Sequence, residues 1–450
     1  MPNPLPPIPI GHLILGNFRE FNSNAYQSMR EWQKLHGDLI RFRMGPVTIY
    51  VVSHPELVED ILIQRPEQFI KMYLVDRPKG LALILGQGLI TSTGALWKRQ
   101  RKLIQPLFVK SRVAEYEGEI VAAGRNLVSH WQSFAPSTPV DIGAGMMRTT
   151  LEVITRTMFN ISVLDQLVWL EPALQTVLEF AADDMRNPLS LPRWLPTRKN
   201  RGFRSAMQSI DQLVYGLIHE RREAALPKDD LLDRLIRATD EETGLPMDDR
   251  QIRDEVLTIF TAGHETTALT LTWACYMLAC HPIAADRLKT ELDTVLGDRE
   301  PTTDDLPRLP WTRAVLEETL RLYPPAAVMV RENVSETVLG GYRIPKGSKL
   351  IINLANIHRH PEFWEMPDSF QPERFLPEPF KPKHRLAFMP FGAGHRLCVG
   401  NAFALTESML LLAMIAKHYR FETLSGESVE PEIEVTLRPK GGMRLAVTPR

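Results

Sequence analysis

The chain has 450 residues, of which 44% are hydrophobic and 24% are charged, and its net charge is −1 at pH 7. These proportions are ordinary for a globular protein, and the balanced charge predicts neither a nucleic acid nor an acidic substrate as a partner. Three cysteines form an odd, sparse set that argues against a disulfide framework and favours the cytoplasm. Length alone favours two or three domains.

The N-terminal part of the sequence indicates a soluble protein, with a helix followed by the first strands of a small sheet. Residues 1–16 are proline-rich and lack a basic segment followed by an apolar core, so we expect neither a signal peptide nor a membrane anchor. Residues 24–36 read as a helix, and residues 39–52 as two strands about a Gly45-Pro46 turn. Residues 72–93 are apolar and punctuated by glycine, which predicts a loop over an apolar site.

The middle of the chain, residues 97–323, is predicted to be mainly helical. It begins with a basic helix over residues 97–107 and is interrupted by prolines between residues 112 and 225. Residues 248–280 read as one helix ended by His281-Pro282, with a length of about 50 Å. Only the interior of a large domain accommodates a helix of that length.

The C-terminal part combines strands with one more helix. Residues 328–354 are strand-rich, residues 401–419 have the apolar period of an amphipathic helix, and residues 435–447 predict a hairpin about Gly441-Gly442. The small sheets thus draw strands from both ends of the sequence. We therefore predict a mainly α fold with small β-sheets (α+β), in one domain covering residues 1–450.

Cys398 lies in a glycine-rich loop directly before the helix predicted over residues 401–419. Free N–H groups at a helix N-terminus favour a thiolate, and a thiolate is a soft metal ligand. Gly394 and Gly400 allow strained backbone and close approach around the sulfur. A buried core cysteine is the alternative interpretation.

The long helix contains Ala262-Gly263-His264-Glu265-Thr266. Glycine inside a helix costs about 1 kcal/mol relative to alanine, and the small side chain would let a flat cofactor approach. Glu265 and Thr266 supply an acid and a hydroxyl, the groups needed to deliver protons. A simple helix crossing is the alternative, and His264 is expected to face solvent, to pack between helices or to contact substrate.

The spacing Phe391-x-x-Gly394-x-Arg396-x-Cys398-x-Gly400 closely resembles the haem-binding loop of the cytochrome P450 family. Residues 262–267 resemble the oxygen-activation motif of that family. Two further motifs are similar as well: Glu-x-x-Arg at residues 318–321 with Pro-x-Arg-Phe at residues 372–375, and Trp-x-x-x-Arg at residues 97–101. The four motifs occur in family order.

This resemblance implies the cytochrome P450 fold, with haem between the long central helix and the helix after the cysteine loop. Cys398 would be the axial iron ligand, as in other members of the family, while Glu265 and Thr266 would relay protons. The implied cofactor-binding residues are Trp97, Arg101, Ala262, Gly263, Arg331, Phe391, Gly394, Arg396, Cys398 and Gly400. A structural network that fixes the cysteine loop would consist of Glu318, Arg321 and Arg374.

The implied activity is that of a bacterial-type haem-thiolate monooxygenase. It would use haem b (iron protoporphyrin IX) and dioxygen to hydroxylate or epoxidise a lipophilic substrate. The chain continues for only about fifty residues after Cys398, so we expect NAD(P)H to act indirectly, through a separate ferredoxin or flavodoxin with its reductase. We also expect a cytoplasmic monomer.

Apolar segments predict the substrate pocket. No basic residue is clearly placed to bind a substrate carboxylate, and Lys71 and Arg77 are the candidates. The residues predicted to line the pocket are Leu81, Ile259, Phe260, Ala262, Ala326, Val328 and Leu437. Alternative functions are a peroxide-driven or rearranging haem-thiolate enzyme and a haem-based gas sensor. A zinc hydrolase built on His264-Glu265 fails, because His-Glu-x-x-His requires a second histidine where Ala268 stands.

Overall fold

The computed structural model describes residues 3–71, 79–187, 192–224, 226, 228, 230–239, 244, 246–376, 383–424 and 429–450, and these are mainly helical. The α-helices are α1 (Phe18–Ser23), α2 (Ala25–His36), α3 (Pro55–Glu59), α4 (Ala82–Leu85), α5 (Gly94–Ile104), α6 (Lys110–Glu115), α7 (Glu117–Gln132), α8 (Ile142–Phe159), α9 (Leu167–Arg186), α10 (Arg198–Glu223), α11 (Leu231–Arg237), α12 (Asp249–Cys280), α13 (Pro282–Leu296), α14 (Pro310–Leu322), α15 (Leu354–Ile357) and α16 (Asn401–His418).

The strands are short and fall mostly towards the two ends of the chain. They are β1 (Leu39–Met44), β2 (Val47–Val52), β3 (Phe69–Ile70), β4 (Thr138–Asp141), β5 (Val328–Asn333), β6 (Thr337–Leu339), β7 (Tyr342–Ile344), β8 (Lys349–Asn353), β9 (Tyr419–Thr423), β10 (Pro431–Ile433), β11 (Leu437–Pro439) and β12 (Arg444–Pro449). A π-helical turn, Asp60–Gln64, follows α3, and single 3₁₀ turns cover Gln105–Phe108, Leu164–Gln166, Thr303–Arg308, Pro372–Phe375, Arg385–Ala387 and Gly394–Arg396. The predicted class, mainly α with small sheets, is confirmed.

Helix α12 is the central element of the fold. The Asp248 carboxylate caps it by accepting the Gln251 N–H at 2.7 Å, and it ends at Cys280 before a proline. Its neighbours include α8, α10, α14 and α16, so its side chains are buried on most faces. The helix predicted over residues 248–280 is therefore confirmed. Cys275 on it is buried, whereas Cys280, its last residue, is exposed.

Helix α16 is not amphipathic, which corrects the sequence prediction. Every residue from Glu407 to Ala416 is buried. The reason is that α16 packs against α7, α12, α13 and α14, so several faces of the helix are covered. A helix buried on several faces needs no polar side, and its apolar residues give only a partial stripe in the sequence.

The largest sheet joins strands that are distant in sequence, in the order β1-β2-β8-β5-β3. Strands β1 and β2 form the predicted hairpin, in which Leu39 faces Val52, and β2 pairs in parallel with β8. The predicted hairpin over residues 435–447 is wrong. Strand β11 pairs with β10, whereas β12 lies between β4 and β9 in another sheet, so both edges of β12 are occupied by strands from elsewhere.

Three histidines form a repeated motif around the ring of Phe363. Each imidazole accepts, at its Nδ1 atom, the backbone N–H of the residue two positions later, at 3.1 to 3.3 Å. The Nε2 atom of each faces a carboxylate. These pairs are His54–Glu362 (3.5 Å), His360–Asp38 (3.1 Å) and His384–Glu59 (3.0 Å). They tie the start of the large sheet to the segment that precedes the cysteine loop.

Across the described ranges, no single helix is both long and apolar enough to cross a membrane. The pair α12 and α13, bent by 112° at its junction, meets that test by length and composition only.

Candidate active site

An internal cavity of about 310 Å³ lies between α12 and the loop that precedes α16. Most of its lining is apolar, and within the described residues it contains three cations and no aspartate or glutamate. The lining residues are Lys71, Leu89, Ile90, Trp97, Arg101, Phe108, Ile154, Thr258, Ile259, Ala262, Gly263, Thr266, Thr267, Thr270, Leu316, Leu320, Pro325, Ala326, Met329, Leu354, Pro390, Phe391, Gly392, Arg396, Leu397, Cys398, Val399, Gly400, Phe403, Ala404, Leu405 and Ser408.

Cys398 presents its side chain to this cavity. The residue has accessible surface although it lies deep in the protein, because that surface faces the cavity. Burial raises the pKa of the thiol, and the Gly400 backbone N–H and the Arg101 charge oppose that rise. The helix-terminus effect inferred from the sequence is thus present but smaller than the effect of burial. A thiolate here needs a positive centre at the sulfur, such as a metal ion supplies.

The loop around Cys398 requires glycine at a defined point. Gly394 has a φ of 70°, and a Cβ atom there would overlap the Leu62 carbonyl oxygen. The Cys398 N–H donates to the Phe391 carbonyl at 3.0 Å, which closes the loop. Gly394 and the flanking turn therefore allow the loop to lie directly on the π-helical turn after α3.

Gly263 lines the cavity, but its small size also has a second cause. A Cβ atom at this position would lie 2.6 Å from Cδ1 of Ile154, so glycine is what lets α8 approach α12. Glycine is therefore required for the packing of α8 on α12, in addition to the close approach of a flat cofactor that the sequence suggested. Ala262, one residue earlier, also lines the cavity.

Trp97 stands between two guanidinium groups. The Arg396 guanidinium lies 4.4 Å from the indole centre and that of Arg101 lies 5.6 Å from it, within cation–π range. Arg101 donates to the Leu397 carbonyl at 2.9 Å, and Arg396 donates to the Ser92 carbonyl at 2.9 Å. The structure thus brings together three of the residues predicted to bind the cofactor, beside the cysteine loop.

Lys71 extends this group of cations, a position that the sequence suggested only for a substrate carboxylate. Its ammonium group donates to the Ile90 carbonyl. Burial lowers the pKa of Lys71 well below its ordinary value, and the charges of Arg396 and Arg331 lower it further. Arg331 is buried behind the cavity wall. Like charges held together require an anion nearby, which fits a cofactor with two carboxylates. Arg77, the other candidate for a substrate carboxylate, lies outside the described residues.

Thr266 lines the cavity from α12. Its hydroxyl donates to the Ala262 carbonyl at 2.8 Å, and the Thr270 hydroxyl donates to the Thr266 carbonyl at 2.9 Å. Glu265 is buried but does not line the cavity, because its carboxylate accepts a 2.7 Å bond from the Thr436 hydroxyl. The predicted acid and hydroxyl are adjacent in sequence but point to different partners.

His264 is packed between helices and does not line the cavity. Its Nδ1 atom lies 2.8 Å from the Phe260 carbonyl, and burial lowers the pKa of its imidazole. The Thr150 hydroxyl on α8 donates to the His264 carbonyl at 2.9 Å. Of the three positions left open by the sequence, packing between helices is confirmed, because His264 neither faces solvent nor lines the cavity.

Glu318 and Arg321 form a fully buried ion pair with distances of 2.6 and 2.7 Å. Arg374 lies 3.5 Å from the same carboxylate, and Arg321 also donates to the His358 carbonyl at 2.9 Å. The Nε2 atom of His358 accepts the Met389 N–H at 3.0 Å. The contacts thus run from α14 to the residue that precedes Pro390, where the cysteine loop begins.

Some residues predicted for the substrate pocket lie elsewhere, while Ile259, Ala262 and Ala326 do line the cavity. Phe260 faces a small apolar space between α8, α10 and α12 instead. Leu437 is fully buried, and its carbonyl accepts the Trp273 indole N–H. Leu81 packs against the main core, and Val328 packs against the cluster under the large sheet. Apolar composition alone could not tell these environments from the cavity.

Phe108 and Ile154 line the cavity but are missed by sequence reasoning. They lie outside every motif and look like ordinary core residues. No local signal in the sequence could have identified them, because only the tertiary packing of the Gln105–Phe108 turn and of α8 brings them to the cavity.

The donor set and the fold define a haem-thiolate enzyme. A single sulfur faces an apolar cavity, small residues of α12 line the opposite wall, and cations gather at one side without an acid in the described lining. These are the features that a porphyrin with an iron centre and two propionates requires. A sulfur ligand on a haem is one of the recognised types of axial ligation.

The comparisons with known proteins agree with this assignment. The family model described as Cytochrome P450 matches residues 6–446. Cyclooctatin synthase of Streptomyces melanosporofaciens is 37% identical over 419 residues (92% of this chain, 89% of the relative). Pentalenene oxygenase of Streptomyces avermitilis is 34% identical over 416 residues (92% and 91%). A solved structure, the cytochrome P450DA heme domain, superposes with a TM-score of 0.90 at 28% identity, covering 100% of this chain and 99% of that one.

This chain belongs to the cytochrome P450 family. Its fold is the cytochrome P450 fold, and its activity is that of a haem-dependent monooxygenase, which uses dioxygen to oxidise a lipophilic organic molecule. The family resemblance inferred from four motifs is thus confirmed. The gas-sensor and zinc-hydrolase alternatives are excluded.

Proposed function

We propose that the substrate is an alicyclic, unsaturated hydrocarbon or its alcohol, of terpenoid type, which the enzyme hydroxylates or epoxidises. The observation that carries this proposal is the apolar lining of the cavity, without an acid among the described residues beside Cys398. A cyclooctat-9-en-7-ol 5-monooxygenase of Streptomyces melanosporofaciens, 36% identical over 395 residues (88% of this chain, 84% of the relative), and the pentalenene oxygenase are named for such molecules.

In this proposal Cys398 holds the iron of haem b, and the bound haem supplies the activation of dioxygen. Arg101, Arg396 and Arg331 hold the propionates, with Trp97 as the surface on which two guanidinium groups stack. We add Lys71 to this set because the charges of Arg396 and Arg331 lower the pKa of its ammonium group, so the three cations lie close together. Phe391, Gly394 and Gly400 shape the loop, while Ala262 and Gly263 form the opposite wall.

Thr266 and Glu265 deliver protons to the cavity in this proposal. Thr266 already faces the cavity, and its hydroxyl is held by a carbonyl one turn earlier, which leaves its oxygen able to accept. Glu265 is bound to Thr436 and would have to exchange that partner to reach Thr266.

The network of Glu318, Arg321 and Arg374 fixes the cysteine loop and takes no part in the chemistry. This role is supported by the chain of hydrogen bonds that runs through His358 to Met389. Burial and the Arg321 charge lower the pKa of His358 to about 3, so its imidazole stays neutral and can accept the Met389 N–H. The loop is thereby tied to the buried ion pair of α14.

Electrons come from NAD(P)H through a separate ferredoxin or flavodoxin with its reductase. Lys98, Arg99 and Lys102 are exposed on α5, the helix that also supplies Trp97 and Arg101. A basic surface there would steer an acidic redox protein, and the association would weaken as salt rises. We further propose one haem domain over residues 1–450, acting as a cytoplasmic monomer.

The test is a screen of cyclic hydrocarbons and their alcohols for a substrate-induced change of spin state in the visible spectrum of the purified haem protein. Compounds that bind are then incubated with a ferredoxin, its reductase, NAD(P)H and dioxygen, and in parallel with hydrogen peroxide alone. We expect oxygenated product in the first reaction and little in the second. Efficient turnover with peroxide alone would favour the peroxide-driven alternative, and selective binding of fatty acids would contradict the substrate class.

A carbon monoxide spectrum of the reduced protein tests the ligand itself. We expect the wild type to show the absorption of thiolate-ligated haem and Cys398→Ala to lose it. Cys275→Ala is the matched control, because this buried thiol lies on α12 outside the cavity. Retention of the thiolate spectrum in Cys398→Ala would show that another residue binds iron.

A further inference from the structure

The segment that leads into α10 carries a strongly cationic surface. Residues 192–210 include five arginines or lysines and no aspartate or glutamate. All five are exposed: Arg193, Arg198, Lys199, Arg201 and Arg204. We call residues 192–204 the basic face. The net charge of the whole chain is −1. The overall composition therefore does not reveal this local excess of positive charge.

The position of these charges opposes the stability of the helix. Four of the five lie in the first two turns of α10, Arg198–Glu223, and its first turn contains no acidic residue. Cations at a helix N-terminus face the positive end of the helix dipole, and this arrangement destabilises the helix. A feature that breaks a local rule without gain to the fold is expected to serve another purpose.

The protein itself does little to compensate this charge. Lys199 pairs with Asp183, and Arg204 donates to the Asn200 carbonyl of its own helix at 3.3 Å. Within the part of the chain that the structure describes, Arg193, Arg198 and Arg201 form no ion pair. Their guanidinium groups are directed to an outside partner or to solvent.

An exposed tryptophan stands within the basic face. Trp194 is 75% exposed, whereas the other seven tryptophans of the chain are at most 37% exposed. An indole has an apolar body and a polar N–H, and it is typical of the boundary between lipid and water. Arginines beside an exposed indole are the composition of segments that lie on a membrane surface.

The basic face is linked through α9 to a segment that lines the cavity, because its Lys199 pairs with Asp183 near the end of α9. Near the end of α9, the Asp184 carboxylate accepts the Gly80 N–H at 2.9 Å. A Cβ atom at Gly80 would overlap the side chain of Met185. The chain continues from Gly80 through α4 to Leu89 and Ile90, which line the cavity. A surface bound here would therefore lie near a segment that contributes to the cavity wall.

We propose that the basic face docks on the surface of an anionic lipid bilayer. A bilayer matches what is present: three exposed arginines without an ion pair among the described residues, one exposed indole, and no requirement for a shaped groove. The lipid phosphates would supply the missing counter-charges of Arg193, Arg198 and Arg201, while Trp194 enters the headgroup layer. Such docking places the protein on the membrane, not across it. It also brings the cavity towards the phase in which an apolar molecule is concentrated.

The experiment measures binding of the holoprotein to vesicles and needs no turnover. Sedimentation is compared for neutral phosphatidylcholine vesicles and for vesicles containing phosphatidylglycerol, at low and high salt. We expect binding to the anionic vesicles only, and loss of binding as salt screens the charges. The variant R193S/R198S/R201S should bind about a hundredfold more weakly, because each interfacial cation contributes about 1 kcal/mol. W194F should lose quenching of tryptophan fluorescence by brominated lipid.

The control variant K346S/R420S/R444S removes the same net charge from exposed positions on other elements. Its binding should equal that of the wild type, and the haem spectrum should be unchanged in all variants. Equal loss in the control would mean that net charge alone acts, and the proposal would be wrong. It would also be wrong if the wild type ignored anionic vesicles, or if the basic face instead bound an acidic protein or DNA with no effect of lipid.

Discussion

The hydroxyl of Thr436 donates a 2.7 Å hydrogen bond to the carboxylate of Glu265, and both groups are buried. The bond joins the middle of α12 to the residue just before β11, near the C-terminus. It holds the acid away from the cavity that Thr266, its neighbour in sequence, faces. The resting position of the acid is thus set by a segment remote from the oxygen-activation motif.

Replacing Thr436 by valine should release Glu265. We expect the free energy of unfolding to fall by about 1–3 kcal/mol, since a buried carboxylate loses its donor. The solvent isotope effect on turnover should change as well, because the acid is no longer anchored. Thr436→Ser keeps the hydroxyl and should behave like the wild type. An isotope effect and a denaturation midpoint unchanged in Thr436→Val would remove this bond from the mechanism.

Thr266→Ala should keep haem and substrate binding but uncouple electron use from product. The hydroxyl that faces the cavity is lost, so NAD(P)H consumption should yield mostly hydrogen peroxide. Thr272→Ala is the matched control, because Thr272 makes the same kind of bond to a carbonyl four residues earlier, at 2.7 Å, but does not line the cavity. Product formed per NAD(P)H is the quantity to measure, and equal ratios in both variants would contradict a role for Thr266.

Glu318→Gln should destabilise the protein strongly. Removing this charge leaves Arg321 buried without its ion-pair partner and takes the same carboxylate from Arg374, a kind of change that costs about 3–5 kcal/mol. Chemical denaturation followed by circular dichroism measures the difference. Glu317→Gln, which affects a half-exposed pair with Arg313, should cost less than about 1 kcal/mol. A similar loss of unfolding free energy in the two variants would mean that the buried network stabilises the protein no more than a partly exposed ion pair does.

Glu255 should make the stability depend on pH. Burial on α12 raises the pKa of its carboxyl from 4.5 to about 8, while the Leu89 N–H, which donates at 3.0 Å, opposes the rise and nearby Asp254 adds to it. The folded state therefore holds a proton that the unfolded state has released. The free energy of unfolding should fall as the pH rises from about 4.5 to 8.

Glu255→Gln should remove that dependence. Denaturation midpoints of the variant and the wild type, measured from pH 5 to pH 8, should diverge in favour of the variant as the pH rises. Glu336→Gln, at a mostly exposed carboxylate, serves as the control and should follow the wild type. Parallel curves for all three proteins would show that Glu255 is ionised in the folded state.

Much of the fold and of the chemistry could be predicted because the relevant signals are local. Short stretches of sequence contain these signals: the capping residue Asp248, the proline shortly after Cys280 and the spacing around Cys398. Family motifs then placed Trp97 and Arg396 beside the cavity without any structural information. These predictions concern which element forms and where it begins or ends.

The errors concern which way a side chain faces when its element is buried on several sides. Phe260 and Ile259 are neighbours on α12, yet only Ile259 reaches the cavity. A helix with apolar residues on most faces has no periodic signal that tells them apart. The β12 pairing was missed for a related reason, since its partners β4 and β9 are set by long-range packing and not by the Gly441-Gly442 turn.

The three imidazoles around Phe363 have a consequence for metal binding. Oxygen and nitrogen atoms of Asp38, His54 and His360 lie within 4.8 Å of one another, close enough to resemble a transition-metal site. Each ring, however, already uses the lone pair of Nδ1 to accept a backbone N–H, so the neutral tautomer carries its proton on Nε2. Neither the His54 ring nor the His360 ring then has a free nitrogen lone pair for coordination, and the Asp38 carboxylate would be left as the sole ligand. We therefore expect that added zinc does not bind at these residues. The rings instead connect two parts of the chain by hydrogen bonds.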